Sequence, residues 1–247
     1  MREDGWLNLS VLPKKNTCDF LGPFAGSVVR LGHDVSISFA AAGICFADHP
    51  VLHDLSFTLR PGSIVAVRGA NGSGKSTLLR LAAGLLRPTE GRVTACGAEA
   101  ELERGDWQAS IACLTPELSF YPLLTAEENL VFFLGLRGIS LTREEKRQLF
   151  RRVGLPGAED WRKASASFST GMGQRLKLAV LLASDAPVWL LDEPGANLDD
   201  AGRGLVASLA QEAAGEGRLV LWATNDAGEE AAADATIHLE RGEARLS

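Results

Sequence analysis

Eight consecutive residues restrict the possible folds of this chain more than any others. Gly69-Ala70-Asn71-Gly72-Ser73-Gly74-Lys75-Ser76 carries glycine, lysine and serine at every fixed position of a phosphate-binding loop. The chemistry requires that arrangement. Glycines let successive backbone amides turn toward a β-phosphate, and a following helix adds its positive N-terminal end. Lys75 is then placed to reach the β and γ phosphates, and the Ser76 hydroxyl to serve Mg²⁺, which otherwise keeps waters and phosphate oxygens. The flanks agree with this reading. Residues 64–67 form a short apolar, β-branched run typical of a strand buried on both faces, and residues 77–86 space their leucines as a helix does.

A second element is Val188-Trp189-Leu190-Leu191-Asp192-Glu193-Pro194, an apolar strand that delivers two adjacent carboxylates to its C-terminal end. Ligands bind at that end of a parallel sheet. Asp192 is expected in the Mg²⁺ shell, and Glu193, turned the other way, is expected to polarise the attacking water as general base.

Around these motifs the chain alternates strand and helix, which argues for an α/β fold with a mostly parallel sheet. Val35, Ile37 and Phe39 alternate against serines, and Leu55, Phe57 and Leu59 alternate against Ser56, Thr58 and Arg60, as in antiparallel strands. The expected order continues with a helix over 174–183, a strand over 188–191, a helix over 202–213, a strand over 219–223 and a closing hairpin turning at Arg241-Gly242-Glu243. Thr125 and Glu128, and again Thr142 and Glu145, have the spacing of capping boxes. Residues from about 120 to 165 are therefore expected to be mainly helical, inserted between two halves of the α/β core. Residues 1–32 show no sustained period and are expected to form a tail without an assignable role, leaving 33–247 as one domain.

Composition closes off several classes. In 247 residues the net charge is −6, contrary to the positive surface of a general nucleic-acid binder. The four cysteines and four histidines lack paired metal-ligand spacing. No uninterrupted apolar run reaches about eighteen residues and no secretory leader is apparent, so neither a membrane span nor export of the chain is expected.

Phe168-Ser169-Thr170-Gly171-Met172-Gly173-Gln174-Arg175 is similar to the signature sequence, usually written LSGGQ, of the ATP-binding cassette family. From about residue 35 to the end the chain resembles that family. The resemblance implies a P-loop NTPase core with an antiparallel β subdomain and an inserted helical subdomain. It also implies binding and hydrolysis of ATP with Mg²⁺. It places nucleotide-binding roles at Phe46, stacked on adenine, and at Gly69, Ala70, Asn71, Gly72, Ser73, Gly74, Lys75, Ser76 and Thr77. Ser169, Thr170 and Gly171 would meet the γ-phosphate held by an opposite subunit, and Asp199, in Asn197-Leu198-Asp199, would contact that subunit. The implied partners are a second ATPase subunit, as a homodimer, and integral membrane permease subunits, with the chain peripheral on the cytoplasmic face. Residues 122–133 would face the membrane partner.

Two positions depart from the family pattern. Where a glutamine is usual the chain has Pro116-Glu117, so Glu117 is expected to serve the metal or water in its place. Where a histidine is usual it has Asn225, which can donate one hydrogen bond but cannot become cationic. Slow hydrolysis is the expected consequence. Within the family the short cassette is similar to ATP-binding subunits of heme exporters of cytochrome c biogenesis, and to those of multidrug and lipid exporters. The competing readings are a non-transport cassette ATPase, which usually carries two cassettes or basic arms, and a regulatory module that barely hydrolyses ATP.

Overall fold

Strand β1, Ser36–Phe46, begins the ordered description given by a computed structural model, which describes residues 32–247 except 48, 156 and 158–160. The expected N-terminal tail thus lies almost wholly outside the described residues. β1 pairs antiparallel with β2, His49–Leu59, in the register Ile37 to Leu59 and Phe39 to Phe57. On its other side it pairs antiparallel with β4, Glu90–Cys96. This three-stranded sheet is the antiparallel β subdomain expected from the alternation of residues 35–59.

The second sheet has six strands in the order β5-β6-β7-β3-β8-β9. These are β3 Ile64–Arg68, β5 Ile111–Leu114, β6 Val188–Asp192, β7 Leu219–Ala223, β8 Ala235–Glu240 and β9 Glu243–Leu246. Pairing is parallel from β5 to β8 and antiparallel only between β8 and β9. The strands β6 and β7 are buried at all five of their positions, which is why they read as unbroken apolar runs rather than alternating ones. Alternate residues nevertheless serve different faces. Leu190, Leu221 and Ile237 join a core with β1, β2 and α1, Lys75–Ala82. Trp189, Leu191 and Trp222 join a second core with the helices of the opposite face.

Those helices are α3 Ala126–Gly135, α4 Arg143–Arg152, α5 Thr170–Ala183 and α6 Asp200–Gly215. Both predicted capping boxes are formed. Thr125 caps α3 through Glu128 N at 3.2 Å while Glu128 returns to Thr125 N at 2.8 Å, and Thr142 and Glu145 repeat the pattern at α4. α3 and α4 lie between β5 and α5 in the chain, where the helical insertion was expected. Four helices and strands have no counterpart among the predicted ones: β4, β5, the short α2, Arg104–Ala109, and a four-residue helix at Ala227–Glu230. The helix expected to run to residue 86 ends at Ala82, because Gly84 turns to φ +64° with the Trp107 ring packed against it.

The strand order puts the ends of β6, β7 and β3 side by side. Ala223 of β7 is level with both Val67 of β3 and Asp192 of β6. Whatever follows those three strands must meet on one rim.

Candidate functional site

The loop 69–76 leaves the end of β3 and closes directly into α1. Gly72 at φ +81° and Gly74 at φ +104° adopt left-handed backbone that other residues rarely tolerate. At Gly74 a side chain would also strike Leu52 of β2, so the loop is pressed against the antiparallel sheet. Lys75 is buried and its Nζ donates to Gly69 O at 2.7 Å and Ala70 O at 3.4 Å, spanning the loop it must serve. The Ser73 hydroxyl is buried within the same turn without a partner. A cradle with an ammonium and an unpaired hydroxyl fits an incoming polyanion.

Asp192, 7% exposed, ends β6. Its Oδ2 accepts from the Ser76 hydroxyl at 2.7 Å, so the two residues expected to share a metal stand together. Glu193 next to it is exposed, at φ +49°. A glutamate held in that region stores backbone strain of the sort that gathers at working sites. Its N–H donates to Ala223 O at 2.9 Å, extending the ladder by one residue past Asp192.

Asn225 follows β7 and its Nδ2 donates to Asn71 Oδ1 at 3.2 Å, so the residue in the usual histidine position touches the phosphate loop. Arg68 supports it by donating to Asn225 O at 3.3 Å, and pairs on its other side with Glu230. A cavity of about 610 Å³ opens beside these groups, lined by Arg68, Gly69, Asn71, Asn225, His238 and Glu240 among others. Phe46, at the end of β1, is 46% exposed. That exposure excludes a plain core role and leaves the ring free to stack.

Glu117 points elsewhere than to a carboxylate cluster: it pairs with Arg80 of α1 at 3.3 Å. Hydrogen bonds from its own backbone and from Thr115, with Arg80 and Lys177 nearby, hold its carboxyl below the usual range. Lys177 of α5 donates to Thr115 O at 2.9 Å and Pro116 O at 3.2 Å. Burial lowers its own pKa. Among the described residues no group of three His, Cys, Asp or Glu is gathered for a metal.

Ser169 is the N-cap of α5, accepting from Met172 N at 3.2 Å, with Thr170 and Gly171 in its first turn. None of the hydrogen bonds among the described residues joins these three to the loop 69–76. Instead α5 grips the segment after Glu193. Gln174 Nε2 donates to Pro194 O at 2.6 Å, and Arg175 lies 3.5 Å from Asp199. Asp199 also caps α6 through Gly202 N at 2.9 Å. Sequence reasoning missed Gln174, Lys177 and Arg80 as organisers of the site, since each acts on a backbone or side chain far away in the chain.

Comparison with known proteins agrees with this fold. Residues 52–196 match the model of the ABC transporter family. The cytochrome c biogenesis ATP-binding export protein CcmA of Bordetella bronchiseptica is 39% identical over 187 residues, 75% of this chain and 83% of that protein. The probable multidrug ABC transporter ATP-binding protein YbhF of Escherichia coli is 36% identical over 181 residues, but these are only 31% of its length. Among solved structures, an ATP-binding subunit of an ABC transporter superposes with a TM-score of 0.74 at 25% identity, over 85% of this chain and 89% of that one. The ATP-binding cassette MJ0796, a dimer in a post-hydrolysis state bound to ADP and Pi, gives 0.72 at 24% identity and shares the fold.

Proposed function

The chain belongs to the ABC transporter family, and we propose that two copies of it close over two ATP molecules and so drive export through separate membrane subunits. It is an ATPase subunit of such a transporter. The observation that carries the reading is the meeting, on one rim, of Lys75, Ser76, Asp192, Glu193 and Asn225 from three adjacent strand ends.

On this reading the loop 69–76 with Thr77 binds the phosphates and Phe46 takes the adenine face. Lys75 transfers its hydrogen bonds from the Gly69 and Ala70 carbonyls to phosphate oxygens. Ser76 and Asp192 offer one neutral and one anionic oxygen, a donor set suited to Mg²⁺ arriving with the nucleotide. The ion, when bound, neutralises phosphate charge. Glu193, exposed at the end of β6, takes the proton of the attacking water. Asn225 offers a neutral amide N–H toward the γ-phosphate, a weaker contribution than a cationic histidine makes, so turnover is slow. Glu117, paired with Arg80, would reach the metal's water shell only by leaving that pair.

The signature residues Ser169, Thr170 and Gly171 stand at the start of a 14-residue helix and, among the described residues, make no hydrogen bond to the loop 69–76. This supports a site completed by the second copy, with Asp199 at the contact. For the membrane partner, Tyr121, Leu123, Val131, Phe132 and Leu136 present an exposed apolar patch, with Tyr121 and Phe132 rings stacked edge-on 4.8 Å apart. No helix among the described residues is long and apolar enough to cross a membrane. On this reading the chain sits on the cytoplasmic face against a separate permease, which the exposed apolar patch would meet. The likeness to CcmA supports heme, for cytochrome c assembly, as the exported cargo.

Two variants test the enzyme reading. Glu193→Gln should bind ATP normally and lose roughly a hundredfold or more in turnover, and an unchanged rate removes Glu193 as base. Lys75→Ala should weaken ATP binding. Deleting the gene should abolish heme staining of c-type cytochromes, and intact staining overturns the cargo.

A further inference from the structure

Glu229 is a buried carboxylate to which the mechanism above gives no part. It lies in the short helix α7, Ala227–Glu230, and is 6% exposed. Among the described residues no cation pairs with it, whereas its neighbour Glu230 pairs with Arg68. Its Oε2 instead accepts from Trp222 Nε1 at 3.1 Å and from the Thr224 hydroxyl. Thr224 stands immediately before Asn225, and Trp222 two residues before Thr224. The other oxygen abuts the segment that follows β6, because a Cβ added at Gly195 would land on Glu229 Oε1. Gly195 is two residues beyond Glu193.

The surroundings make this a closed set. The Thr224 hydroxyl oxygen also accepts from Asp226 N at 2.9 Å, and Asp226 caps α7 through the amides of Gly228 and Glu229. Arg203 of α6 lays its stem along Gly195, and Gln174 fixes Pro194 from below. A buried carboxylate without a cation is a costly way to fill space, and an apolar side chain fills it better. What only an acceptor can do here is take two donors from the end of β7 while Gly195 closes on its other side.

We infer that Glu229 is a positioning residue, which sets the spacing between the loop bearing Glu193 and the loop bearing Asn225 by binding Trp222 and Thr224 and packing on Gly195. The inference rests on the assignment of Glu193 and Asn225 to hydrolysis. It accounts for the otherwise unused acid and for glycine at position 195, whose missing side chain makes room for the carboxylate.

The test uses the purified full chain as wild type, Glu229→Gln, Gly195→Ala, the double variant and Glu193→Gln. ATP turnover is measured across ATP concentration, and binding is followed with a fluorescent ATP analogue. Glu229→Gln keeps the size but puts an amide donor where an acceptor stood. Its kcat should fall about tenfold while KM and analogue affinity stay within about twofold. Gly195→Ala, whose methyl displaces the carboxylate, should give the same split, and the double variant should fall little further than either alone. Wild-type kcat in a folded Glu229→Gln, or a KM that rises as kcat falls, overturns the inference. If Glu229→Gln does not fold, Gly195→Ala decides on the same readout. A wild-type rate in Glu193→Gln overturns the reading of Glu193 itself, and is told apart because that variant is then the silent one.

Discussion

Burial pushes the Glu229 carboxyl above its ordinary value, and the nearby Asp226 charge adds to the effect; hydrogen bonds from Thr224, Trp222 and the Gly195 backbone pull the other way. In the unfolded chain the same acid ionises near 4.5. The folded protein therefore holds this proton to higher pH than the unfolded one. Its contribution to stability is fully present below the unfolded value and is lost as pH rises through the folded one. Relative to Glu229→Gln, which cannot ionise, wild type should lose stability as pH rises above about 4.5 and through the raised folded value. Urea unfolding at a series of pH values checks this, and parallel curves for the two proteins contradict it. At this scale the sequence was legible where function is written in adjacent residues. Lys75, Ser76, Asp192 and Glu193 come in contiguous motifs with their strand or helix attached, and the structure brings all four to one rim. Glu229 was not legible, because it lies outside every motif and, like Glu230 beside it, carries no local signal of which way its side chain turns. Only the fold reveals that one glutamate turns inward to Trp222 and the other outward to Arg68.

Among elements, α3 and α4 owe their first turns to Thr125 and Thr142, each exchanging hydrogen bonds with a glutamate three residues on. Thr125→Ala and Thr142→Ala should each cost about 1 kcal/mol in urea unfolding, with ATP affinity unchanged. The costs should add, since each cap serves its own helix. Elements with a clear period, a buried apolar run or an explicit cap were the ones sequence could place: β1, β2, β3, β6, β7, the hairpin of β8 and β9, helices α1, α5 and α6, and both capped helices. The missed ones gave too little pattern. β5 has four residues, too few to establish a period. In β4 only Val93 and Ala95 are buried, and Gly91 sits at φ +65° against the Ala41 carbonyl, so the strand reads as a turn. Helix α1 begins at Lys75 instead of residue 77 because Gly74 turns the loop straight into its first turn.

As a whole, the molecule carries two cores on opposite faces of one sheet, with the rim that gathers Ser76, Asp192 and Glu193 at the ends of its strands. If the signature helix serves the phosphate of a second copy, as proposed, the site should assemble by pairing. Glu193→Gln should double in mass by light scattering when ATP is added, and a mass unchanged at saturating ATP removes the two-copy site. The segment joining β5 to the helices of the second face has a further consequence. Proline fixes one backbone torsion at position 116, and Lys177 ties the carbonyls of Thr115 and Pro116 to α5. Such a joint behaves as a stiff strut instead of a slack tether. A rotation of the helices is then delivered to the sheet edge with little lost as bending. Pro116→Gly would soften the strut, and ATP would be spent with less cargo moved per molecule hydrolysed.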